Sequence, residues 1–329
     1  MPSRRQLLAA LSCATLAGRG GAAPAAAQGA PAETAAALRV VASFSILGDM
    51  VRQIGGARLD LRVIVGPDRD AHGFQPRPSD VGALRADVLV VRNGLGFEPW
   101  LDRLLRAAGH RGPVITATAG ITPRAMDAPG HGHDGSGAER HRRHAAPPGH
   151  GVPDPHAWQD LRLGQSYVRT IAAGLIEADP AGAELYRRNA EAYVARLAAL
   201  DAWVRERIAT VPAARRKVVT DHEAFGYFAA AYGVRFLAPQ GVSTEAEPSA
   251  AEVARLIRRM RAEGITAMFL ENMRNPAMLQ RLAREAGARV GGRLYADSLS
   301  PPDGPAPTYE AMFRHNVSLL VPAMRGDAA

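Results

Sequence analysis

The chain has 329 residues, of which 47% are hydrophobic and only 5% aromatic, and carries a formal net charge of +8. That length and apolar content suffice for two domains of ordinary size with buried cores. The basic balance does not make a nucleic-acid binder, because arginines such as Arg255, Arg258, Arg259 and Arg261 are spread along helical stretches and no basic run is interleaved with aromatics.

Residues 1–30 read as an export signal followed by the start of a tether. Met1 to Arg5 is short and positive, Leu7 to Ala17 is mostly apolar but too short for a permanent span, and Ala25-Ala26-Ala27 offers small residues for cleavage. The stretch Ser3-Arg4-Arg5-Gln6-Leu7-Leu8 resembles a twin-arginine signal, and an ordinary secretory signal carrying two arginines fits the same residues. The expected location is therefore the periplasm. A lipid anchor through Cys13 is the weaker alternative, since Ala10-Leu11-Ser12 is a poor context for one. Cys13 is the single cysteine, so the processed protein would have neither a disulfide framework nor a thiolate metal site. No later segment reaches about 18 uninterrupted apolar residues, and no stable membrane span is expected.

From Leu38 the pattern is α/β. Leu38 to Ser43 and Leu59 to Val65 read as strands around a helix at Ile46 to Ile54. Ser79 is placed to cap a helix to Arg85, with Asp80 in its first turn. Val88 to Val91 is wholly apolar, as a strand buried on both faces of a parallel sheet reads. A helix at Glu98 to Ala108 and a strand at Val114 to Thr116 follow. Residues 127–153, rich in Gly, Pro and His, read as a loop. Leu161 to Ala178 and Ala181 to Ala209 are helical. In the second of these, Leu185, Tyr193, Leu197, Leu200, Trp203, Val204 and Ile208 approximate a stripe, and its length of about 40 Å suits a stiff connection. Then come strands at Lys217 to Thr220, Val234 to Leu237, Ala267 to Leu270 and Arg293 to Ala296. Between and after them run helices at Ala224 to Tyr232, Ser249 to Ala262, Pro276 to Ala286 and Thr308 to Pro322. The expected fold is two α/β lobes, each a mainly parallel sheet flanked by helices, joined by a long rigid helix. The boundaries are 38–180 for the first lobe, 181–210 for the linking helix and 211–325 for the second lobe.

Three histidines and one aspartate stand where strands give way to loops. His72 lies in Asp70-Ala71-His72-Gly73-Phe74 beyond the strand ending at Val65, and His156 in Asp154-Pro155-His156-Ala157-Trp158. His222 follows Val218-Val219-Thr220, and Asp297 follows Leu294-Tyr295-Ala296. Ligands of open α/β sheets bind beyond the carboxyl ends of the strands, and two of these residues fall in each half, which suits a cleft between lobes. Taken singly, each histidine reads equally as a surface or structural residue. Asp297 reads equally as a cap for the turn Ser298-Leu299-Ser300.

Six stretches carry a more specific resemblance. They are Phe44-Ser45-Ile46-Leu47-Gly48-Asp49-Met50, Gln75-Pro76-Arg77-Pro78-Ser79-Asp80, Asn93-Gly94-Leu95-Gly96-Phe97-Glu98, Asp154-Pro155-His156-Ala157-Trp158, His222-Glu223-Ala224-Phe225-Gly226-Tyr227-Phe228 and Tyr295-Ala296-Asp297-Ser298-Leu299-Ser300. In this order they resemble the zinc and manganese substrate-binding proteins of ABC importers (ZnuA/TroA-like, cluster A-I), over about Leu38 to Met324. The resemblance extends to the AztC-type zinc-binding proteins within that family. It implies metal ligands at His72, His156, His222 and Asp297, a binding function without enzymatic activity, and partnership with an ABC permease and its ATPase. A periplasmic zinc metallochaperone is a further expected partner, and the chain is expected to act as a monomer. The family often has Pro before its first ligand, where this chain has Ala71. The third ligand varies between His and Glu, and here it is His222.

Three neutral imidazoles and one carboxylate make a four-coordinate nitrogen/oxygen shell with bonds of roughly 2.0–2.2 Å to zinc. Manganese prefers more oxygen, so zinc is the first expectation and manganese the alternative. Each ligating imidazole should pass its other N–H to a carbonyl or carboxylate, for which Glu98, Glu223 and Glu271 are candidates. His131, His133, His141, His144 and His150 crowd the 127–153 loop and read as an auxiliary metal-collecting segment, such as the resembled zinc proteins carry. Arg140, Arg142 and Arg143 weigh against cation binding there, and a solvated linker fits the same residues. Two rival functions share these features. A metallohydrolase would need an open coordination position for water, which four protein ligands close. A zinc buffer or adhesin on the same fold is distinguished by growth under zinc limitation rather than by sequence.

Overall fold

The computed structural model describes residues 37–84, 88–126, 152–241, 244 and 248–327. The export signal with Cys13 and the five loop histidines lie outside these residues.

In the first half, β1 (Leu38–Phe44), β2 (Leu59–Val65), β3 (Leu89–Arg92) and β4 (Val114–Thr116) form a sheet of order β2-β1-β3-β4, with parallel pairing throughout. Leu89, Val90 and Val91 are buried, as an apolar run central to a parallel sheet must be. The helices α1 (Ser45–Gly55), α2 (Pro78–Ala83) and α3 (Leu101–Ala107) lie between and after these strands in the chain. Ser79 is not the cap of α2. Pro78, whose fixed φ suits the first helical position, starts the helix two residues earlier than a Ser79 cap would, and Asp80 Oδ2 accepts the Arg77 N–H at 2.8 Å. A short antiparallel ribbon, β5 (Ala125–Met126) with β6 (Val152–Pro153), closes the base of the expected loop, so residues 152 and 153 are strand rather than loop.

Two helices follow, α4 (Leu161–Ala178) and α5 (Ala183–Ala209). In α5, Tyr186, Ala190, Tyr193, Leu197, Leu200, Val204 and Ile208 are buried, a run of four- and three-residue steps that forms one helical stripe. Tyr186 replaces the expected Leu185. Trp203 lies at the edge of the stripe, with the Arg314 guanidinium 5.2 Å from its ring centroid.

The second half contains β7 (Lys217–Val219), α6 (Gly226–Tyr232), β8 (Arg235–Leu237), α7 (Ala250–Glu263), β9 (Ala267–Glu271), α8 (Ala277–Ala286), β10 (Arg289–Leu294) and α9 (Tyr309–Arg325). Its sheet runs β10-β9-β7-β8, again parallel. Counted within each half, both sheets have the order second-first-third-fourth. Both therefore have a topological switch point beside their first strand, where α/β proteins bind ligands. β10 begins four residues before the expected Arg293. Gly291 and Gly292 hide its strand pattern, and the register shifts between Val290 and Arg293, where Gly292 adopts φ 125°, a conformation open to glycine. The last helix passes through Pro322 to Arg325.

α5 packs against α1 and α4 and also against α6 and α9. Arg196 spans the two halves, donating to Gln53 Oε1 at 3.0 Å and Glu310 Oε2 at 3.1 Å. One apolar core runs continuously through both halves, and a smaller one lies between the second sheet and α7 and α8. A continuous close-packed core resists deformation, so large hinge opening would require breaking it.

Candidate metal centre

His72 lies on the connection after β2. Asp70 Oδ1 accepts the backbone N–H of His72 at 2.9 Å, and the Trp100 indole donates to the Ala71 carbonyl at 2.7 Å. The imidazole stands edge-on to Phe97, ring centroids 4.5 Å apart.

His156 is fixed by its neighbour two residues back. Asp154 Oδ1 accepts both the His156 backbone N–H at 3.0 Å and its Nδ1–H at 2.8 Å. Asn93 donates to the Pro155 carbonyl at 2.9 Å. Tyr167 donates to Asn93 Oδ1 at 2.6 Å, and Glu98 accepts the backbone N–H groups of Asn93 and Gly94. In the 3-10 turn that follows, Trp158 and Gln159 side chains both donate to the Ala296 carbonyl, at 2.9 and 2.8 Å. The His156 segment is thereby stitched to the residue before Asp297.

His222 sits at the switch point of the second sheet. Glu271 ends β9 and reaches across to it. One Glu271 oxygen accepts the backbone N–H groups of Asp221 and His222, each at 3.1 Å, and the other accepts His222 Nδ1–H at 2.5 Å. Asp221 returns the contact by accepting the Glu271 backbone N–H at 2.7 Å. Burial and the Glu271 charge raise the Asp221 pKa to about 7.

With the δ nitrogens of His156 and His222 donating outward, the Nε2 atoms face one point together with Asp297. Nε2 of His72 and of His156 are 3.2 Å apart. Asp297 Oδ2 is 3.3 Å from His72 Nε2 and 3.0 Å from His222 Nε2, and Oδ1 is 3.5 Å from His156 Nε2. Donors on a tetrahedral ion with bonds of about 2.0–2.1 Å stand about 3.3–3.4 Å apart; these four contacts bracket that spacing, and the ligand atoms as a set lie within 4.8 Å of one another. His156, His222 and Asp297 are fully buried and His72 is 4% exposed, so His72 is on the solvent side. Beyond these contacts with one another, His222 Nε2 and both Asp297 oxygens are buried with no hydrogen-bond partner. Buried polar groups are rarely left so, and Asp297 therefore does not cap the turn after it.

In the absence of an ion, attraction and hydrogen bonding between the Asp297 carboxylate and the imidazoles hold these groups together. Burial would lower the His156 pKa, but the Asp297 and Asp154 carboxylates outweigh it and bring it up to about 8. His222 is raised well above its ordinary value, because Glu271 and Asp297 together overcome its burial. Burial prevails at His72, whose pKa is lowered. Asp297 would be raised by burial, yet the His156 and His222 charges hold it well below the carboxylate range.

The structure thus brings together all four residues singled out in the sequence, and among the described residues this is the group of His, Asp and Glu donors that converges. Of the three supporting glutamates expected, Glu271 contacts an imidazole. Glu98 acts at one remove, through Asn93 and Pro155. Glu223 is exposed: the turn after β7 points successive side chains apart, so His222 enters the cleft and Glu223 leaves it. Sequence reading missed Asp154 and Asp70. Their signal was the repeated Asp-x-His, in which a short carboxylate bonds the backbone two residues on.

Two like parallel sheets, with three imidazoles and a carboxylate buried beyond their strand ends, define a binding protein built to enclose a metal ion. Residues 40–323 match the family described as zinc-uptake complex component A, periplasmic, and the chain belongs to that family. It is 32% identical over 290 residues to the iron-binding protein YfeA of Yersinia pestis, covering 88% of this chain and 87% of that one. It is also 32% identical over 285 residues to the manganese-binding lipoprotein MntA of Halalkalibacterium halodurans, covering 86% and 87%. The periplasmic zinc-binding protein TroA of Treponema pallidum superimposes with a TM-score of 0.78 at 26% identity, over 88% of this chain and 99% of that one. The family provides metal-binding, substrate-binding components of ABC transporters, which work with a permease and an ATPase, and is not a family of enzymes. Among the described residues no helix is long and apolar enough to cross a membrane.

Proposed function

We propose that this chain is an exported, periplasmic protein that captures zinc and delivers it to an ABC importer. His72, His156 and His222 bind the ion through Nε2, and Asp297 completes the shell. The observation that carries this reading is the convergence of the four inward donors, all within 4.8 Å of one another, with His222 Nε2 and both Asp297 oxygens buried and finding no partner outside the cluster. Three imidazoles favour zinc over manganese, and zinc stands above manganese in divalent affinity. One observation favours a second reading. Both Asp297 oxygens face the cluster, and a bidentate carboxylate would supply the fifth donor and additional oxygen that manganese or iron(II) accepts more readily. Metal analysis of protein purified without added metal, paired with zinc–manganese competition, decides between them. Zinc at one equivalent, displaced by manganese only in large excess, is the expected result. Stoichiometric manganese or iron would remove the zinc assignment.

Zinc uptake is expected to release protons. In the absence of metal His156 titrates near 8, so at neutral pH it holds a proton on the Nε2 that must bind the ion. Apparent zinc affinity should therefore rise with pH as His156 and His222, both raised above the ordinary imidazole value, give up their protons, and fall in acid, where His72 also becomes protonated. Calorimetry in buffers of different ionisation enthalpy checks this. A binding enthalpy independent of buffer at pH 7 would contradict it.

A further inference from the structure

We propose that Asp70 is a positioning residue for His72 whose grip is set from the opposite half of the molecule, by Thr244 and Arg274, and that this latch governs how fast the metal ion leaves. The inference rests on the ligand set proposed above. The connection carrying His72 leaves the first sheet after β2 and is bound over several residues to the second half. The Asp68 N–H donates to the Leu299 carbonyl at 3.0 Å, and Asp68 Oδ1 accepts from Asn272 Nδ2 at 2.8 Å. Asp70 then divides its carboxylate between the halves. Its Oδ1 accepts the His72 backbone N–H at 2.9 Å. Its Oδ2 accepts the Thr244 hydroxyl at 2.6 Å and lies 3.5 Å from the Arg274 guanidinium. Arg274 also donates to Gln240 Oε1 at 2.8 Å and to the Thr244 carbonyl at 3.3 Å. Gln240 pairs through its backbone with His222. A single carboxylate thus links the backbone of the first candidate ligand to groups adjoining the third.

The asymmetry among the histidines gives this link its consequence. His156 and His222 are fully buried, and each ring is braced by a buried carboxylate, Asp154 or Glu271. His72 is on the solvent side, and Asp70 acts on its backbone rather than on its ring. Loosening the Asp70 contact would free the His72 connection while the other ligands stay seated. The ion would then leave on that side without disruption of the shared core. Latch strength would accordingly appear in the dissociation rate, with the donor set unchanged.

The test is stopped-flow release of zinc from loaded full-length protein into excess EDTA, with the absorption spectrum of the cobalt(II)-loaded form recorded for each variant. Hydrogen bonds to charged groups are the stronger ones, so Thr244→Val and Arg274→Met should each accelerate release by about tenfold or more. The association rate should change little and the cobalt spectrum should stay that of wild type. Thr244→Ser, which keeps the hydroxyl, should release at the wild-type rate. Wild-type release rates in both Thr244→Val and Arg274→Met, or a Thr244→Ser variant as fast as Thr244→Val, would overturn the latch and leave the ligand set standing. Wild-type protein that takes up neither zinc nor cobalt would overturn the ligand set, and the latch with it.

Discussion

Replacement of His222 by alanine should abolish tight zinc retention, with a loss well beyond the roughly 10–100-fold that a partner behind a ligand is worth. The substitution removes a donor from a cluster whose other members stay at their places, and the shell cannot close around the gap because the core beneath it is continuous. It also has a cost without metal. Glu271 is 1% exposed, and one of its oxygens accepts the His222 Nδ1–H. With the imidazole gone that oxygen is buried without its partner, and breaking a buried charged pair costs on the order of 3–5 kcal/mol. His222→Ala should therefore lower both zinc affinity and the stability of the metal-free protein. His72→Ala should lower affinity by a comparable factor with a much smaller change in stability, because that ring stands at the solvent side of the cluster. Isothermal titration with zinc and denaturant unfolding of the metal-free forms separate the two quantities. Wild-type affinity in either variant would remove that residue from the shell.

The legibility of this molecule in its sequence varied with the kind of signal. Strands stand where hydrophobic pattern places them: the edge strand Leu59–Val65 alternates apolar residues with Asp60 and Arg62, and the central Leu89–Val91 is an apolar run because it is buried on both faces of a parallel sheet. β10 was only partly legible: its glycines carry no side-chain pattern, and its pairing with β9 is a tertiary fact. The four clustered donors were legible as residues at strand ends, and the resemblance joined them. Their convergence on one point was not, since no short spacing links positions as far apart as 72 and 297. The supporting carboxylates separate in the same way. Asp154 and Asp70 are local, two residues from their histidines, and could have been read from the repeated Asp-x-His. Glu271 serves His222 because β9 lies beside β7 in the sheet, and strand order is not written in either strand. Glu223 was favoured by adjacency in the chain, which in an extended turn is a poor guide to shared direction.

Asp154 offers the sharpest separation of orientation from charge. Its Oδ1 holds both the backbone and the ring of His156, while its Oδ2 is buried without a partner. Replacement by alanine removes the acceptor that fixes the His156 tautomer and should cost zinc affinity roughly 10–100-fold. Asparagine can keep a carbonyl oxygen at the Oδ1 place and put its amide where Oδ2 was. Space there is tight, since a Cβ on Gly226 would stand 2.6 Å from Oδ2, but the amide group is no larger in outline than the carboxylate. Asp154→Asn should therefore retain most of the affinity lost in Asp154→Ala. It should nevertheless change the pH dependence. The Asp154 charge is one of the influences that bring His156 up to about 8, so without it the metal-free imidazole loses its proton at lower pH. Fewer protons would then be displaced on zinc uptake at pH 7, and the apparent affinity would rise less steeply above neutral pH than in wild type. Zinc titrations of the three proteins across pH 5.5–9, a window spanning the ordinary imidazole value of ~6.5, read both effects. Equal losses in the asparagine and alanine variants at every pH would show that the carboxylate acts through its charge rather than by seating the ring. Unchanged affinity in both would show that His156 needs neither.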